Sequence, residues 1–315
     1  MNKKIVVLGG GTGMSTLLRG LKNFPVDITA VVSVSDDGQS TGRLREEFNI
    51  PAVGDIRKVI VALSETEPLV QNLLNYRFET SSDLNGHTLG NLLLTGLFNI
   101  TGNMSAGITS LGKVLNLKGQ VLPLTEDNVT LMAKMDDESI VEGEHNITAA
   151  GKNIKEIFYK EEPKILSEVL EELKVADLIV LSMGSLYTSI IPNLISEDVR
   201  NAIDESNAEI LYVCNIMTQP GETDDFSVSD HINILNHYLG EKKIHAVVAN
   251  NGPISDEIKE KYLVKEQKDP VLFDKDILDQ MGITVIAKDF VFVEDGILRH
   301  NVTKLGLEIF SYILL

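Results

Sequence analysis

Apolar residues fall in continuous short runs along much of this chain. Ile5 to Leu8, Asp27 to Ser33, Leu178 to Leu181, Ile210 to Cys214, Ala246 to Ala249 and Thr284 to Ala287 are such runs. They lack the polar alternation of half-exposed strands and fit strands covered on both faces. Between them, Ile165 to Lys174, Ser227 to Leu239 and Asp256 to Tyr262 carry apolar positions at helical spacing. Strand alternating with helix predicts an α/β fold: a Rossmann-like, doubly wound, mostly parallel sheet with right-handed crossovers. No repeat or long linker divides residues 1–315, so a single domain is expected.

The middle of the chain breaks this rhythm. Residues from about 54 to 115 hold no convincing strand. They read as a helical insertion of four helices: Asp55 to Leu63, Pro68 to Tyr76, Thr88 to Thr101 and Ser105 to Leu115. A β-rich element follows at about 119–143, in which Gln120 to Thr125, Val129 to Met135 and Ile140 to Gly143 are expected to form a small antiparallel unit.

Charge narrows the partners. The net charge is −18, which argues against nucleic acid, whose binding draws on Lys and Arg patches. It also opposes an anionic membrane surface. No run approaches the roughly 20 apolar residues that span a bilayer, so no membrane insertion is expected. The short apolar stretch before Gly9 is too brief for a signal-peptide core, and a cytoplasmic protein is the expectation. Cys214 is the sole cysteine; within its apolar run it reads as a small buried hydrophobe.

The candidate chemistry lies where runs end. The first strand enters Gly9-Gly10-Gly11-Thr12-Gly13 and an amphipathic stretch from Met14 to Leu21 follows. Strand, glycine turn and helix together aim bare N–H groups at an anion, so phosphate is expected on Gly10, Gly11, Thr12 and Gly13. Met14 stands where a G-x-G-x-x-G fingerprint has its third glycine, and no lysine completes a Walker A loop. NAD is therefore disfavoured; a tight turn without ligand is the plain alternative. After the second strand comes Ser35-Asp36-Asp37-Gly38-Gln39-Ser40. Asp36 and Asp37 could hold a divalent cation such as Mg²⁺ together with phosphate oxygens, or form a solvated turn.

Further polar loops repeat the layout. Gly54-Asp55-Ile56-Arg57 opens a helix that Asp55 could cap, with Arg57 able to pair with an acid or a phosphate. His87 and Asn91 share one helix face near its start. Ser182-Met183-Gly184-Ser185 and Asn215-Ile216-Met217-Thr218 each follow a strand in the second half. Near the end, Tyr262 could stack a base and Arg299 could grip a pyrophosphate, surface placement being the alternative for both.

Six of these segments occur in a fixed order: G-G-G-T-G, S-D-D-G-x-S-x-G-R-L-R, G-D-I-R, G-H-x-L-G-N, G-S-L-Y-T-S and C-N-I-M-T-Q-P-G-E-T-D. Together they resemble the CofD/YvcK-like family of the 2-phospho-L-lactate transferase superfamily, most closely its bacterial gluconeogenesis-factor branch. Met14, and Met183 where many relatives carry proline, depart from the pattern.

The resemblance implies a nucleotide-binding protein. Its transferase branch moves a phospholactyl group from a guanosine diphosphate carrier to a deazaflavin alcohol with Mg²⁺. Asp36, Asp37 and His87 would then be the catalytic candidates. The bacterial branch looks instead like a non-catalytic UDP-sugar (UDP-GlcNAc-like) binding protein, linked to cell-wall synthesis, cell shape and gluconeogenic growth. Ligand contacts would come from Gly10, Gly11, Thr12, Gly13, Ser40, Asn91, Gly184, Ser185, Asn215, Thr218, Tyr262 and Arg299. Partners would be morphogenesis proteins and, by family, a second copy in a homodimer.

Overall fold

The structure, a computed structural model, describes residues 2–294 and 297–315. The chain opens with β1 (Lys3–Gly9), α1 (Gly11–Leu21) and β2 (Val26–Val32). Five helices follow: α2 (Gln39–Phe48), α3 (Gly54–Leu63), α4 (Pro68–Asn75), α5 (Leu89–Thr101) and α6 (Met104–Val114). Next come β3 (Gln120–Pro123), β4 (Leu131–Met135), β5 (Ile140–Glu142), α7 (Glu144–Ala149) and β6 (Ile154–Tyr159). Alternation resumes with α8 (Ser167–Lys174), β7 (Leu178–Leu181), α9 (Glu197–Glu205), β8 (Glu209–Val213), α10 (Val228–Tyr238) and β9 (Ala246–Asn250). The chain ends through α11 (Asp256–Glu266), α12 (Lys275–Met281), β10 (Thr284–Lys288), β11 (Val291–Glu294), β12 (Ile297–His300) and α13 (Val302–Ile313).

Seven strands form one parallel sheet in the order β10-β9-β8-β7-β1-β2-β3. This is the doubly wound sheet the apolar runs predict. Ile5 to Leu8, Leu178 to Leu181 and Ile210 to Val213 are buried at its centre, which is why those strands carry no polar alternation. The order reverses between β1 and β7, and at such a switch point the loops leaving the two strands part to open a crevice. On one face α1 lies against α3 and α13.

The helical insertion contains the four helices read from spacing, as α3 to α6. One helix was not legible. Residues 39–48, which begin in the polar segment after the second strand and for which the spacing predicts no element, form α2, whose sequence is too polar for an apolar stripe to mark it. The β-rich element differs more. The strand at Gln120 does not join the antiparallel unit but pairs in parallel with β2 at the edge of the large sheet. The small sheet is instead β5-β4-β6, its third strand lying beyond residue 143. In β6 the burial pattern is irregular rather than alternating, so period alone does not reveal it.

Candidate functional site

Three loops from both halves of the sheet meet at the switch point. Gly10 precedes α1 in extended conformation, and Gly11 has φ of +66°, a region that a Cβ disfavours. Gly13 is in contact with the opposite turn: a Cβ placed on it would lie 1.5 Å from the Met183 carbonyl oxygen. From the β8 loop, the Asn215 side chain donates to the Gly184 carbonyl at 2.7 Å. Gly10, Gly11, Gly13, Gly184 and Asn215 are thus brought together, with Thr12 exposed at the lip. Met14 is fully buried, so the departure from the dinucleotide fingerprint is a core contact.

Other predicted groups are already engaged. The Ser185 hydroxyl donates to Glu222 and accepts from the Thr188 N–H at 3.1 Å. Thr218 gives its N–H to the Asp269 carbonyl at 2.7 Å, and its hydroxyl accepts the Asp269 N–H at 3.0 Å, which braces the loop. The Tyr262 hydroxyl accepts the Leu298 N–H at 3.0 Å, fastening α11 to the terminal hairpin. Arg299 is exposed on that hairpin, opposite Phe292. Among the described residues no hydrogen bond links Tyr262 or Arg299 to the glycine turns.

The two adjacent aspartates diverge. Asp36 accepts the Gly38 N–H at 2.9 Å, and its other oxygen faces Gly54 at the start of α3. Asp37 accepts the His145 N–H at 2.8 Å, at the start of α7. Asp55 does not cap α3, where Val53 occupies the N-cap. Its carboxylate turns to the Gly10-Gly11 backbone and pairs with Lys58 Nζ at 2.8 Å.

A chain of donors joins three motifs. Arg57 Nε donates to Asn91 Oδ1 at 2.9 Å, and Asn91 Nδ2 donates to Ser40 Oγ at 3.2 Å. Ser40 Oγ stands 3.1 Å from His87 Nδ1. Its proton completes the sequence if Nδ1 accepts, leaving His87 neutral with its proton on Nε2. Burial, then Arg43, holds His87 below its ordinary pKa and favours that neutral form.

Two acids absent from the predicted set border the crevice. Burial first, then Asp36, Asp55 and Asp37, pushes the Glu144 carboxyl well above the usual glutamate range. Burial also raises Glu222, opposed by hydrogen bonds from Ser185 and Thr148. Glu222 lies inside a quoted motif, but nothing in sequence marks Glu144, which the small sheet delivers from outside every motif. Because its folded-state pKa exceeds the usual 4.5, the folded protein keeps this proton where the unfolded chain has lost it. Stability from this group is greatest below that value and falls as pH rises through the folded pKa. Glu144→Gln is expected to flatten the decline above about pH 5 and to be neutral at pH 4, read from denaturant midpoints across pH.

Mutual repulsion among Asp36, Asp55 and Glu144 is what a cation would relieve. Among the described residues, however, no three His, Cys, Asp or Glu side chains converge as a metal site. A divalent ion fits at Asp36 only with ligand phosphate oxygens completing its shell.

Fold and crevice define a Rossmann-like α/β protein whose candidate site lies at the switch point. The sequence matches the family described as "2-phospho-L-lactate transferase CofD" over residues 5–291, and the chain belongs to that family. Similar proteins include the "Gluconeogenesis factor" of Halalkalibacterium halodurans, 48% identical over 305 residues and covering 96% of this chain and 94% of that one. The "Gluconeogenesis factor" of Bacillus subtilis is 46% identical over 304 residues, covering 96% of each. A crystal structure of a UPF0052 family member from Bacillus halodurans superposes with a TM-score of 0.94 at 47% identity, covering 98% of this chain and 99% of that one.

Proposed function

We propose that this protein is a cytoplasmic gluconeogenesis factor that binds a nucleotide sugar of the UDP-GlcNAc kind and signals wall-precursor supply to the cell-shape machinery. The observation that carries the reading is the contact between the Gly10–Gly13 and Met183–Ser185 turns. Backbone N–H groups there can hold a diphosphate without cationic side chains, which suits an acidic protein. The relatives named gluconeogenesis factor, at 46 and 48% identity, support the cellular part. A homodimer belongs to the same proposal.

Calorimetric titration with UDP-GlcNAc, GDP and NAD, each with and without Mg²⁺, tests it. Saturable binding of UDP-GlcNAc alone, without turnover, is the expected result; silence with UDP-GlcNAc refutes it. Arg299→Ala is expected to abolish UDP-sugar binding without unfolding, because its side chain is exposed on the hairpin. Retained affinity in that variant would remove Arg299 from the site.

A second reading is a Mg²⁺-dependent phospholactyl-type transferase, favoured by the carboxyl of Glu144 standing near Asp36. In it Asp36 would hold the ion against the donor phosphates, and the ion would supply charge neutralisation of the leaving diphosphate. GDP binding that requires Mg²⁺ and is lost in Asp36→Asn would select this reading.

A further inference from the structure

Beside Asp36, toward the helical insertion, lies a cavity of about 310 Å³ lined by Asp36, Ser40, Arg57, Lys58, Arg77 and Asn91. Its cations are poorly neutralised. Arg57 is buried, yet its guanidinium donates only to the amide oxygens of Asn91 and Asn75. No carboxylate forms an ion pair with it among the described residues. Arg77 donates to the Gly86 carbonyl at 2.5 Å, again a neutral partner. Arg43 stands behind His87 and donates to the carbonyl of Asn85 at 2.5 Å. Of these cations, among the described residues, Lys58 alone forms an ion pair, with Asp55.

This arrangement is costly without a ligand. The buried Arg57 guanidinium hydrogen-bonds only neutral partners, so the Asp55 and Asp36 carboxylates offset its desolvation only in part, without an ion pair. Arg57 and Arg77 also repel one another; burial and then Arg77 hold Arg57 below its ordinary pKa. In a chain of net charge −18, such grouping is not a by-product of a basic surface. Planar guanidinium forks match phosphate oxygens in pairs, and the Ser40 hydroxyl adds a polar partner. The volume equals about ten waters at roughly 30 Å³ each, enough for a small metabolite.

We propose that this cavity is a second anion site, which takes inorganic phosphate or a small phosphomonoester between the Arg57 and Arg77 guanidinium groups. Its lining holds none of the glycine-turn residues but includes Asp36, Ser40 and Asn91, which are also candidates for the nucleotide site. Asp36 is the one carboxylate among its lining residues, so that side chain opposes the anion and couples the two sites.

The test is calorimetric titration of the full chain with inorganic phosphate and, separately, glycerol 3-phosphate, at constant chloride. One saturable site is expected. Arg77→Gln, an exposed position that leaves the fold intact, should weaken it about tenfold, and Arg57→Gln at least as much if circular dichroism shows a folded chain. Asp36→Asn should strengthen binding several-fold, a gain that general disruption would not produce. Tighter binding of glycerol 3-phosphate identifies the ligand as a phosphomonoester, and equal binding identifies it as phosphate itself. Absence of saturable binding, or unchanged affinity in both arginine variants, would overturn the proposal. So would a loss confined to Gly13→Ala, since that puts the anion on the glycine turn.

Discussion

Gly13→Ala is expected to destabilise the protein by about 3 kcal/mol and to remove ligand binding at the switch point. An alanine Cβ would sit 1.5 Å from the Met183 carbonyl oxygen and 2.5 Å from its carbonyl carbon. Contacts under 3.0 Å are essentially never made by real Cβ atoms, so the turns must separate by about 1.5 Å (3.0 less 1.5). The obstacle is backbone at the end of a buried central strand, which cannot rotate aside as a side chain would. Relief must come from moving the β7 turn, whose Gly184 carbonyl is also held by Asn215.

Gly96→Ala is the matched control. Gly96 lies within α5 with nothing within 4 Å of its would-be Cβ, so alanine there should stabilise by about 0.5–1 kcal/mol through helix propensity. Denaturant midpoints of both variants, with nucleotide titration, check the pair. A Gly13 variant as stable as the parent would show that the two turns do not touch.

The same contrast explains which features can be read from sequence. The strands at Ile5, Leu178, Ile210 and Ala246 are legible because burial on both faces forces uninterrupted apolar runs. The four insertion helices are legible because each keeps an apolar stripe. The glycine turn announces itself because Gly11 takes a positive φ and Gly13 leaves no room for a side chain, and both constraints exclude other residues.

What the sequence conceals depends on contacts between distant segments. Nothing in S-D-D-G indicates that the two carboxylates diverge: Asp36 bonds Gly38 in its own loop and faces Gly54, whereas Asp37 takes its partner, His145, from the start of α7. Asp55 reads as a cap from local spacing, whereas its tertiary neighbours are the glycine turn and Lys58. Thr218 and Tyr262 are offered by the sequence as ligand contacts, yet the backbones of Asp269 and Leu298 already engage their hydroxyls. The cations of the second cavity come from positions 57, 58 and 77, and only folding shows that Arg57 hydrogen-bonds amides while Asp55 and Asp36 act on it without an ion pair. Polar site residues keep their chemical type in sequence, but their partners are a property of the fold.

Arg45 shows this dependence most strongly, and Arg45→Met is expected to cost about 4 kcal/mol of stability. The Arg45 side chain is buried, and its guanidinium donates to the carbonyls of Ser35 and Asp36, each at 3.0 Å. It also donates to Asn128 Oδ1 at 2.9 Å and to the Val129 carbonyl. One side chain on α2 therefore ties the β2 loop to the segment before β4. Methionine preserves much of the length and apolar stem but leaves these acceptors unmatched, each at about 1–3 kcal/mol where water cannot reach. Lysine restores the charge but cannot span both carbonyl pairs with one ammonium, so Arg45→Lys should recover only part of the loss. Because the released loop carries Asp36 and Asp37, hydrogen exchange over residues 33–38 should quicken before global unfolding, and ligand affinity should fall with it. Unchanged exchange in a folded Arg45→Met protein would mean that Gly38 and His145, through their own bonds to the two aspartates, suffice to hold the loop.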